Sequence, residues 1–196
     1  MTNTVTLYHG AHKDFEQFAI GKEYLDKENA DLSEGLGIYL TDTFESAKIL
    51  GNLVYEVEVS ENDVIDFTDK QVIVNTFEKM RDDVEEATGC DILAYMDDVW
   101  GYADRIARGV FACMTIPNDI LDMLGNKEIF HMEFGHLLTY EEDCIYNLIE
   151  QSFYKHIKDV LKNTNRSYNV PIYVCHRNPE ILKIVEKHVI KKQKIV

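Results

Sequence analysis

The feature that most constrains this fold is the order in which the hydrophobic repeat changes along the chain. Near the start, Val5, Leu7 and His9 alternate with polar or aromatic neighbours, which predicts a strand over Thr4–Tyr8 with Tyr8 on its other face. Ile38 to Thr41 reads as a second strand. "VYEVEVS" alternates more clearly, with Tyr55, Val57 and Val59 on one face and Glu56 and Glu58 on the other. The period then lengthens. Ile73, Phe77, Met80 and Val84 recur every three or four residues, the spacing of a helix with one buried face, and Gly89 ends it. "GYADRIARGVFACM" predicts another helix, and Pro117 opens a third. Ile145, Leu148, Ile149, Phe153, Ile157 and Val160 form the strongest helical stripe. "VPIYVCH" returns to strand character, and "NPEILKIVEKHVI" reads as a turn or short helix leading to a last strand. Strands, then helices, then strands argue for an α+β fold with a helical insertion at about 70–165, not for alternating βαβ units.

A chain of 196 residues suits one domain carrying such an insertion, and 45% hydrophobic residues supply a core. The formal charge is −15. Residues 183–196 hold five Lys and one Glu, so the first 182 carry −19. A surface this acidic repels nucleic-acid phosphates and suits a basic partner. Cys90, Cys113, Cys144 and Cys175 are far apart, and no N-terminal apolar run suggests export. Both facts predict reduced thiols in a cytoplasmic protein away from membranes. His131 and His136, five apart with Glu133 between them, do not fit the four-residue spacing of a helical zinc pair. Cys175 and His176 are adjacent on a strand and point to opposite faces, so they cannot form a nucleophile–base pair.

Two short stretches carry polar rings beside glycine. In "LYHG", His9 precedes Gly10, and a glycine there would let a ligand approach bare backbone. In "GLGIYLTD", Gly35 and Gly37 precede Tyr39, whose flat ring is a platform for a planar heterocycle. Asp42 is expected to cap the following helix with Glu45 as its capping-box partner; Phe44, Ala47 and Leu50 form its apolar stripe, and Gly51 ends it. Residues 11–34 read as polar and irregular.

"LYHG", then "GLGIYLTDTFESAKIL", then "VYEVEVS" together resemble the ADP-ribosyltransferase family, in particular small bacterial and phage members of its diphtheria-toxin-like, H-Y-E branch. The resemblance covers residues 5–60 and, more weakly, 169–185. It implies a split β-sheet core and NAD as co-substrate. His9 would bond a ribose, Gly10 would hold the carboxamide, and Tyr39 would stack on nicotinamide. Tyr8, Gly37, Thr41 and Ser46 would complete the cofactor site. It further implies mono-ADP-ribosylation of a macromolecular target, in the setting of a phage or bacterial effector acting on a host system. The chain departs from the family in its third motif, where "SYNVPIYVCHRNPEIL" has no Glu before "IYV". Asn169 is the nearest polar residue; it can bond a hydroxyl but brings no charge. Asp97, Asp98 and Glu150 are the other sources of a carboxylate. Without one, the chain would be a module that binds NAD or ADP-ribose without transfer. An acidic protein-interaction module, an inhibitor docking on a basic nucleic-acid-binding complex, is the alternative that needs neither ring.

Overall fold

The computed structural model describes residues 3–20, 37–89, 91–110, 116–125, 142–164 and 170–190. It is a mixed, α+β arrangement of two sheets and several helices. The chain divides into two compact units: Met1–Asp66 with Asp159–Val196, and Phe67–Lys158.

The first unit holds both sheets. Strands β1 (Thr4–Ala11), β3 (Leu53–Ser60) and β7 (Lys183–Val189) form one, in the order β1-β3-β7. Strands β2 (Ile38–Leu40), β6 (Pro171–Cys175), β5 (Val160–Thr164) and β4 (Val64–Asp66) form the other, in the order β2-β6-β5-β4. Among the described strands, β4 and β5 run parallel and the other pairs antiparallel. An isolated bridge joins the sheets: Tyr8 N–H donates to the Thr41 carbonyl at 2.8 Å, and Thr41 N–H to the Tyr8 carbonyl at 2.9 Å.

Alternation explains the core between them. Leu7, Tyr55, Val57 and Val59 from the first sheet cluster with Ile38, Leu40, Val160, Tyr173 and Cys175 from the second. The intervening residues Glu56 and Glu58 stay partly exposed, as the period of two requires. Helix α1 (Phe44–Leu50) packs on the opposite face of β1. Its cap differs from expectation. Thr43, not Asp42, holds the extended N-cap conformation, and its Oγ1 accepts from Ser46 N–H at 3.3 Å. Glu45 pairs with Lys48 at 2.8 Å instead of closing a capping box.

The second unit is helical in its described residues. Helix α2 (Lys70–Thr88) buries Ile73, Phe77, Met80 and Val84 and ends at Gly89, whose φ of 76° suits glycine. It packs against α3 (Val99–Ala107) and α5 (Glu142–His156). Helix α4 (Ile116–Gly125) is tied to α3 where the Tyr102 hydroxyl donates to Asp119 at 3.0 Å. The helical stripe expected to run to Val160 stops at His156, and Val160 opens β5, paired with Val64 on one side and Cys175 on the other. A residue spaced three from Ile157 was in strand register, and sheet pairing overrode the periodicity. No helix among the described residues is long and apolar enough to cross a membrane.

Candidate functional site

The two sequence stretches meet at the sheet junction. Past the Tyr8–Thr41 bridge, β1 carries His9 alongside β2, and His9 Nδ1 lies 2.7 Å from the Tyr39 carbonyl oxygen. A carbonyl only accepts, so Nδ1 carries the proton and donates, and Nε2 is left as a lone-pair acceptor. The residue faces the same side of β1 as Leu7. Its ring is enclosed by Phe18 at 5.2 Å, Phe15 at 5.8 Å and Tyr55 at 6.5 Å between centroids. Burial lowers the His9 pKa below the ordinary 6.5, with the Tyr39 carbonyl pulling the other way. The imidazole is therefore neutral at pH 7, able to accept from a hydroxyl at Nε2.

Phe15 and Phe18 lie in the run expected to be polar and irregular. Phe18 is buried in the core and Phe15 packs against it. Phe15 stacks on Tyr55 at 4.2 Å, and its N–H donates to the Tyr55 hydroxyl at 2.9 Å. That hydroxyl donates to Asp14 at 2.7 Å, and Asp14 also accepts from Lys187 at 2.7 Å. The Lys187 ammonium, followed by the Tyr55 hydroxyl, holds the Asp14 carboxyl below its usual range. A pair of Phe three apart in a charged stretch was the available signal for this ring cluster.

Tyr39 is half-buried and stands on the face of β2 opposite Ile38 and Leu40, which join the core. It therefore meets His9 through its backbone and not through its ring. Val174 and Leu161 follow it across β6 and β5 on that same face. Two residues beyond Leu161 comes Asn163, 1% exposed, with neither its amide nitrogen nor its oxygen bonded. Buried amides without partners are uncommon and costly. Nothing in the sequence pattern singled out Asn163.

The glycines have a different local cause from the one expected. A Cβ on Gly10 would stand 2.1 Å from the Ala47 carbonyl and 2.9 Å from Leu50 Cβ, so glycine there admits α1. A Cβ on Gly37 would stand 2.6 Å from Val174 Cγ1 and 2.9 Å from the Cys175 carbonyl, so glycine there admits β6. On their missing-side-chain sides, both positions are filled by the protein itself. Tyr8 also serves α1, its ring edge-on to Phe44 at 5.8 Å. Thr41 is buried at the bridge, and its Oγ1 accepts from Thr43 N–H at 3.4 Å. Ser46 Oγ accepts from Thr43 Oγ1 at 2.6 Å, which places it in the helix cap.

Asn169 lies outside the described residues, as do His131, Glu133 and His136. Strand β6, where a third motif would begin, has no acidic residue. Asp98 caps α3, accepting from Gly101 N–H at 2.8 Å, and Asp97 and Glu150 belong with it to the second unit. Cys175 is buried, and burial pushes its thiol up to about 12, which removes it as a nucleophile.

No protein-family model matches this chain, and no curated protein does. A solved structure described as the crystal structure of an anti-CRISPR protein aligns over 94% of this chain and 96% of that one, with 10% sequence identity and a TM-score of 0.43. A likeness that slight bears on neither fold nor function.

Proposed function

We propose that this chain binds NAD beside the sheet junction and acts as a mono-ADP-ribosyltransferase on a macromolecular target. The observation that carries the reading is the bond from His9 Nδ1 to the Tyr39 carbonyl. It fixes the tautomer and orientation of an imidazole that burial keeps neutral, and its Nε2 acceptor suits a ribose hydroxyl. It also ties together the two stretches that resemble the ADP-ribosyltransferase motifs. The chemistry asks little more of a protein. The bond from the ribose anomeric carbon to the nicotinamide nitrogen breaks, and neutral nicotinamide leaves through an oxocarbenium-like state. A nucleophile on the target then forms the new bond to that carbon and gives up its proton. Holding the two parts of NAD in place and excluding water contribute most.

A second reading is binding without transfer. The lack of a carboxylate on β6 favours it, since nothing on that strand offers negative charge to the developing cation. The two readings part in one assay. Nicotinamide release from NAD is expected for the parent chain and is lost in His9→Ala; Tyr39→Ala keeps the carbonyl that His9 bonds, so a loss there would report the stacking role that the family resemblance implies for the ring. Release that both substitutions leave untouched eliminates the transferase. Thermal stabilisation by NAD without any release supports the binding module.

A further inference from the structure

A different group of residues lies on the face of the β1-β3-β7 sheet that carries Tyr8. Glu56 on β3 stands between Tyr8 on β1 and Glu186 on β7 in register. His188, two residues along β7, shares that face and pairs with Val54. The β3–β7 register slips between Glu56 and Val57, which leaves Val185 unmatched and sets Glu186 opposite Glu56. Like charges directly opposed across two strands are unfavourable. The neighbouring lysines do not relieve them, since Lys183 pairs with Glu58 and Lys187 with Asp14.

His188 stands between the two carboxylates at distances too long for hydrogen bonds. Its Nε2 lies 3.8 Å from Glu56 and its Nδ1 3.7 Å from Glu186. Nε2 is buried and has no hydrogen-bond partner. The Phe44 ring meets the imidazole edge-on at 5.0 Å and limits its rotation. One donor atom from each of the three residues lies within 4.8 Å of the others.

We propose that Glu56, Glu186 and His188 form a binding site for a first-row divalent cation, with Zn2+ the best fit. Two carboxylates oppose each other, and the imidazole between them has a buried Nε2 with no hydrogen-bond partner. A cation supplies what both need. Zn2+ takes nitrogen and oxygen ligands at about 2.0–2.2 Å, so the three donors need only close by rotation of the two long Glu side chains. The imidazole argues against Mg2+ and Ca2+, which prefer all-oxygen shells. The bound ion would clasp β7 to β3 across the bulge.

Calorimetric titration of the chelator-treated intact chain with ZnCl2 tests this. Parent protein is expected to take up Zn2+ at a site whose affinity falls at least about tenfold in both His188→Gln and Glu186→Gln. MgCl2 should give no such site. The Glu186 side chain is 63% exposed, so its substitution leaves the fold intact. Zn2+ should also raise the melting temperature of the parent and not of Glu186→Gln. No uptake by the parent, or Zn2+ affinity undiminished in either variant, overturns the proposal.

Discussion

At the scale of single residues, the junction is defined by what each side chain can donate or accept. His9 donates through Nδ1 and is surrounded by aromatic rings, so its burial works against the charged form. The unfolded chain binds a proton at this ring near the ordinary 6.5, and the folded chain only at lower pH. Stability is therefore full above that value and declines as pH falls below it. In an NMR titration the His9 midpoint should fall below the ordinary 6.5. A midpoint at or above that value would contradict the enclosed geometry. Asn163 makes the opposite case, a polar group with nothing to bond. Replacing it by leucine removes a desolvation cost, so Asn163→Leu should raise unfolding stability by about 1–2 kcal/mol in urea denaturation. Destabilisation would mean the amide has an unseen partner.

At the scale of elements, α2 and α5 are joined through one carboxylate. Asp83 on α2 accepts from Ser152 at 2.7 Å, Lys155 at 2.7 Å and His156 at 2.8 Å, all on α5. Lys155 is the largest cause that brings its pKa down from 3.8 to about 2. A depressed carboxylate stabilises the fold above the unfolded value and loses that contribution as pH falls from about 4 towards 2. After discounting for solvent screening, Asp83→Asn should cost about 1–2 kcal/mol at pH 7 and almost nothing at pH 2. Equal loss at both pH values would remove the ionic cause. The long elements were legible in the sequence because a buried face repeats over many turns, as Ile73 to Val84 do on α2. The short β4 and β5 were not, since three or five residues give no period, and Val160 happened to continue a helical spacing. The helix cap was misplaced by one residue because Asp42 and Thr43 are both good caps, and only backbone geometry chose Thr43. At the junction, the order of His9 and Tyr39 was readable. The reason for Gly10 was not, because the Ala47 carbonyl that requires it comes from an element 37 residues further along the chain.

At the scale of the whole molecule, charge is the dominant property. A net −15 repels itself, and added salt screens that repulsion. The melting temperature should rise between 50 mM and 500 mM NaCl; a fall would mean that ion pairs such as Lys187–Asp14 outweigh the repulsion. The same charge should leave the chain without affinity for duplex DNA at physiological salt; retention on duplex DNA under those conditions would contradict this. The NAD reading stands on one neutral imidazole held at the place where two sheets join. Its most direct measurement is calorimetric titration of the intact chain with NAD, run beside His9→Ala. The expected result is saturable binding by the parent that weakens at least about tenfold when the imidazole is removed, the loss of a hydrogen bond to a site built for it. No heat of binding from the parent, or equal affinity in the two proteins, would contradict it.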